Sequence, residues 1–226
     1  MKEFSGKQDF PIWLVGDSPP QNWEKDLNHP LDERHPTRHS IWTPIESAIQ
    51  KYLYDWGNLR FSTENMYIIN ALSSLDVKKP ESSKEWEDEG IKSRQNVLKS
   101  EIEIYKGINL SILLTLGSFS FEMTRRALGI GKPRSSYWTF KLLGEKFRES
   151  YNSFNKYKIN IFPLLHASIA RKNFLKAHKD YCSSNEDSES NNYFYYVGYH
   201  LATILYENYS NNNEVLIGPA AIKTQE

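Results

Sequence analysis

The chain has a single cysteine, Cys182, among 226 residues. One thiol excludes an intrachain disulfide, a multi-cysteine metal centre and an iron–sulfur cluster. No apolar run approaches the ~20 residues of a helical membrane span. The opening M-K-E-F-S-G-K-Q-D-F lacks the apolar core of a secretion signal, so the protein is expected in the cytosol. There is no G-x-S-x-G elbow and no nucleophile context around Cys182, which argues against a small-molecule hydrolase. Net charge is zero, which argues against a uniformly basic nucleic-acid binder.

What is present is apolar and aromatic. Hydrophobic residues make up 39% and aromatic residues 14%, enough for one domain with a sizeable core. The charge is unevenly placed. Residues 125–179 carry 13 lysines and arginines against Glu145 and Glu149 alone. The acids gather around 81–89 and 186–189. Such asymmetry suits a polyanion-binding face, and equally a solvated surface.

Four short apolar runs read as buried strands: residues 11–15, 66–72, 111–116 and 159–162. Pro163 is expected to stop the last of them, because proline cannot donate to a sheet ladder. Helices are expected between the strands, at 43–54 with Thr43 as cap and Pro44 in the first turn, at 91–105, and at 119–128. Ser118 is the expected cap of the third, and Gly129 its end. Further helices are expected at about 169–181 and at 193–209. Residues 130–155 read as basic, aromatic and mostly irregular, with at most a turn of helix. Residues 17–40, with four prolines and three histidines, form a long loop of the kind that carries function. The tract 182–192 reads as a disordered loop and 215–226 as a tail. Strands alternating with helices imply a three-layer α/β/α sandwich around a central four-stranded parallel sheet.

Parallel strands bring their carboxyl ends to one edge, where open sheets bind ligands. Here those ends carry V-G-D-S-P-P (15–20), I-N-A-L-S-S (69–74) and P-L-L-H-A-S (163–168). Asp17, Asn70 and His166 should therefore converge. Each alone has a plain structural explanation, as a turn residue, a strand-end amide or a loop histidine; the three in order point to a site. His29, His35 and His39 match no established metal-site spacing, and no metal or other cofactor is expected.

On these motifs the chain resembles the uracil-DNA glycosylase superfamily. Gly16-Asp17-Ser18-Pro19 fits its first motif, Ile68-Ile69-Asn70-Ala71 its strand-end asparagine, Leu114-Thr115-Leu116-Gly117 its strand followed by a helix-opening glycine, and His166-Ala167-Ser168 its second motif. The likeness covers roughly residues 11–180. Ala167 stands where proline is commonest. Ser18 stands where the classical uracil enzyme has its catalytic aspartate; the acid here, Asp17, lies one residue earlier, as in members with glutamate there.

The resemblance implies a monofunctional DNA glycosylase that flips a base from DNA and hydrolyses its glycosidic bond; the protein is expected to act as a monomer. Flipping costs a few kcal/mol. Bond cleavage leaves negative charge on the base and positive charge on the sugar. His166 would donate to a base oxygen and Asp17 would stabilise the sugar and orient water. Asn70 offers a donor and an acceptor to a pyrimidine edge, with Gly16 and Ser18 beside the base and Trp42 or Trp23 as an aromatic platform. The loop after His166 would enter the minor groove with Ile169 as wedge, Ser168 beside it and Arg171 and Lys172 on phosphates. Ser73, Ser74 and Ser118 could also donate to phosphates. Uracil is the default substrate. The long 17–40 segment and altered first motif leave room for a larger base, such as a hypermodified cytosine of phage DNA, which would make the role antiviral defence. The competing expectation is a non-catalytic nucleic-acid-binding module on the same fold, favoured by serine at position 18.

Overall fold

A computed structural model of the protein describes residues 4–17, 29–32, 34, 38–72, 85–130, 138–166, 174–182 and 192–218. In chain order the elements are β1 (Phe4–Ser5), β2 (Ile12–Gly16), α1 (Thr43–Gly57), β3 (Arg60–Phe61), β4 (Tyr67–Asn70), α2 (Glu89–Lys106), β5 (Ile112–Leu116), α3 (Gly117–Ala127), α4 (Phe140–Asn152), β6 (Asn160–Leu164), α5 (Phe174–Cys182), α6 (Tyr193–Tyr209) and β7 (Leu216–Ile217).

The four apolar runs form the parallel strands β4, β2, β5 and β6, side by side in that order. Every residue of β2, β4 and β5 is buried, as expected for strands covered on both faces. Leu14 lies between Ile68 and Leu114, and Leu114 faces Phe162. A fifth strand, β1, adds antiparallel to the outer edge of β4. The central four-stranded parallel sheet is as expected, with helices on both faces, and β1 extends it to a five-stranded mixed sheet. β3 and β7 form a separate two-stranded sheet.

The chain steps from β2 to β4 through α1, then back across β2 to β5 through α2. Right-handed crossovers therefore put α1 and α2 on opposite faces. α6 packs along α1, where Gly198 meets Ala48 so closely that a Cβ would collide. α3 packs on α2. Connections leave β2 and β5 in opposite directions, which opens a crevice between their carboxyl ends.

Several local expectations are corrected. β6 runs through Pro163 to Leu164. Among the described residues it is the sheet's edge strand, so the missing proline N–H falls on the side away from the β5 ladder. Residues 140–152 form a full helix, α4, capped by Thr139 Oγ1, which accepts from Leu142 N at 3.3 Å. Thr43 does not cap α1. A π-helical turn, Arg38–Trp42, leads into the helix, so the threonine is already inside it. α3 starts at Gly117, placing Ser118 in its first turn rather than at its cap. Gly129 takes the left-handed conformation, φ +70°, after that helix, as expected. Leu216 is buried in β7 and pairs with Phe61, so the stretch expected as a tail begins as structure. Residues 183–191 and 219–226 lie outside the described residues. Among the described residues no helix is long and apolar enough to cross a membrane.

Candidate functional site at the carboxyl edge of the sheet

Gly16 ends β2 directly opposite Asn70, the last residue of β4. The ladder continues past both strands: Ala71 N donates to Gly16 O at 2.9 Å and Leu72 N to Asp17 O at 3.0 Å. Asp17 is therefore held by its own backbone before its side chain does anything. The Asn70 amide lies over Gly16, and a Cβ at position 16 would collide with its Oδ1. From α2, the Arg94 guanidinium donates to the carbonyls of Asn70, at 3.0 Å, and Ala71, at 3.1 Å. This two-carbonyl grip ties the end of β4 to the helix behind it.

His166 arrives from β6, two strands from β2. Its side chain lies against Gly117 at the end of β5, where an added Cβ would sit 2.8 Å from the histidine Cβ. Gly117 has φ +90°, a conformation that itself favours glycine. With that position bare, the imidazole passes over the end of β5, and Nε2 comes within 4.0 Å of Asp17 Oδ2. The distance is too long for a direct hydrogen bond but short enough for one reactant to meet both groups. The two side chains are 26% and 13% exposed, so both are largely shielded yet still reach solvent.

Of the other residues expected here, Trp42 belongs to the hydrophobic core, with 1% exposure. It is buried where the chain enters α1 and forms no open platform. Ser118 is exposed on the first turn of α3, beside Gly117. Ser18, Trp23, Ser73, Ser74, Ser168, Ile169, Arg171 and Lys172 lie outside the described residues. Among the described residues no group of three His, Cys, Asp or Glu side chains is placed to hold a metal ion. Burial raises the Cys182 thiol to about 11, far from a nucleophilic thiolate.

Sequence reasoning missed two contributors. Arg94 gives no local signal, because it acts on carbonyls more than 20 positions earlier in the chain. Gly117 opens α3, and only the fold reveals that it also clears the path of His166. A carboxylate, an imidazole and a primary amide at the same edge of the sheet can recognise a polar planar group and manage charge on both sides of a breaking bond. The chain matches no protein-family model and no curated protein in sequence.

Proposed function

We propose that the protein is a cytosolic DNA glycosylase that flips a uracil or other modified pyrimidine out of DNA and excises it hydrolytically, acting as a monomer without a metal or cluster. The observation that carries this reading is the approach of His166 Nε2 to Asp17 Oδ2, 4.0 Å, at the crevice beside Asn70. A flipped pyrimidine offers its edge to the Asn70 amide, whose acceptor and donor complement a carbonyl and a ring N–H. As the glycosidic bond breaks, its electron pair leaves with the base. His166 donates a hydrogen bond to the base oxygen that gathers this charge. The Asp17 carboxylate stabilises the positive sugar and orients a water. The water oxygen bonds to the anomeric carbon, its proton passes to Asp17, and free base and an abasic site remain.

The experiment incubates the protein with single- and double-stranded oligonucleotides carrying uracil or other modified pyrimidines, and with phage DNA rich in hypermodified cytosine. Abasic sites are then read as alkali-induced strand breaks. Release from at least one substrate is expected. Asp17→Ala and His166→Ala should each lower it by at least about 10²-fold, the scale of lost electrostatic stabilisation, with the circular dichroism spectrum unchanged. No release from any substrate, with salt-sensitive DNA affinity retained, would leave a non-catalytic binding module. Full activity in both variants would refute the two assignments.

A further inference from the structure

We propose that Tyr193 is a positioning residue for His166, acting through the main chain at Leu165. The inference rests on the reading of His166 as the group that acts on the departing base. Among the described residues β6 has a neighbouring strand on one side only. An edge strand presents backbone groups with no strand to receive them, and His166 projects from the end of this one. Along its outer side the protein supplies two buried tyrosine hydroxyls in place of a neighbouring strand. Tyr181 OH, from α5, donates to Pro163 O at 2.6 Å. Tyr193 OH, from the first residue of α6, accepts from Leu165 N at 2.8 Å. The two contacts are two residues apart on the same edge, the repeat at which a strand presents groups to one side.

Both phenols are rigidly seated. Tyr181 and Tyr193 are fully buried, and their rings meet edge to face at 4.9 Å. The carbonyl of Tyr181 accepts from Arg148 Nη1 at 2.8 Å, which ties α5 to α4. Tyr193 opens α6 under an Asn192 cap whose Oδ1 accepts from Phe194 N at 3.0 Å. The Tyr193 contact is the one that bears on His166. It binds the N–H of the residue immediately before the histidine, at the point where the β6 ladder with β5 has ended at Leu164. With Gly117 on the other side of the imidazole, the strand end is held between a hydroxyl and a bare backbone. Freed from Tyr193, Leu165 and His166 can rotate together, and the 4.0 Å approach to Asp17 is lost.

Tyr193→Phe removes one oxygen and keeps the ring. Tyr181→Phe is the matched comparison, because it removes the same atom from the same cluster but acts three residues from the histidine. In ring-labelled protein the His166 imidazole resonances should move in Tyr193→Phe and stay in place in Tyr181→Phe. For base release, Tyr193→Phe should lower kcat at least about 10-fold with KM nearly unchanged, as expected for a misplaced group, whereas Tyr181→Phe should hold kcat within about 2-fold. In the wild-type protein the Leu165 amide should exchange with solvent only at the rate of global opening. This last measurement needs no variant to fold. Unmoved His166 resonances in Tyr193→Phe, equal effects of both variants at equal loss of Tm, or rapid exchange at Leu165 would each overturn the proposal. The resonance and exchange experiments read position and not activity, so a wild-type protein that releases no base would sink the glycosylase reading and leave this test standing.

Discussion

A Cβ at Gly16 would strike Asn70 Oδ1, and one at Gly117 would press on His166 Cβ. The two glycines differ in what a substitution would do. At Gly16 the obstacle is the end of a side chain, which can turn away. Gly16→Ala should therefore cost little stability yet displace Asn70, and base release should fall while Tm holds. At Gly117 the backbone has φ +90°, which costs an L-residue about 1–3 kcal/mol. Gly117→Ala should thus lose both Tm and activity. Thermal melts paired with release assays check both, and a Gly117→Ala protein with wild-type Tm would refute the strain argument. The residues of the site were visible in the sequence for a simple reason: Asp17, Asn70 and His166 each interrupt or follow an apolar run where a buried strand must end. Their partners were not visible. Arg94 and Tyr193 act through backbone groups, which leave no mark on the sequence near the site.

At the scale of elements, continuous apolar runs made β2, β4, β5 and β6 readable, and the 3.6-residue period did the same for α1, α2 and α6. Helix α4 is less legible: Phe140, Leu143, Phe147 and Tyr151 follow that period, but Gly144 sits in its interior, where glycine costs helix stability. The fold supplies the reason for it: a Cβ there would run into the Tyr181 carbonyl of α5. β1, β3 and β7 are two residues long, too short for any period, and are defined only by their partners. Helix α5 also carries a pH response. His178 is 4% exposed, against the rings of Tyr193 and Phe194. Burial lowers its pKa to about 4 from 6.5. The folded protein therefore binds this proton less readily than the unfolded chain. The stability is complete above pH 6.5 and is lost as pH falls toward 4. Between pH 7 and 5 this group should remove about 2 kcal/mol, and His200, also lowered by burial, pushes the same way. Urea denaturation at the two pH values measures it; His178→Phe should show a drop about 2 kcal/mol smaller, and an unchanged drop would refute the assignment.

For the molecule as a whole, the order β4-β2-β5-β6 follows from which strand neighbours which, and no local pattern specifies that. The same topology divides the basic surplus of residues 125–179. Helix α4 runs antiparallel to β6: Ser150 Oγ donates to Ile161 O at 2.7 Å, while Gly144 lies against Tyr181, which reaches Pro163. Exposed Lys141, a turn before Gly144, thus lies toward the edge that holds Asp17 and His166. Exposed Lys156 and Lys158 precede β6 and lie at the opposite edge. The surplus is one stretch of sequence but not one face. If DNA is engaged at the carboxyl edge, only the lysines on that side release counterions on binding. Each phosphate contact contributes about 0.9 to the slope of log K against log salt. Lys141→Gln should therefore reduce the slope by up to about 0.9, and Lys156→Gln should leave it unchanged, in fluorescence anisotropy titrations of a labelled duplex across a potassium chloride series. Equal reductions would mean that DNA wraps both edges, and a loss confined to Lys156→Gln would move the nucleic acid to the far side of the sheet, away from the Asp17–His166 pair.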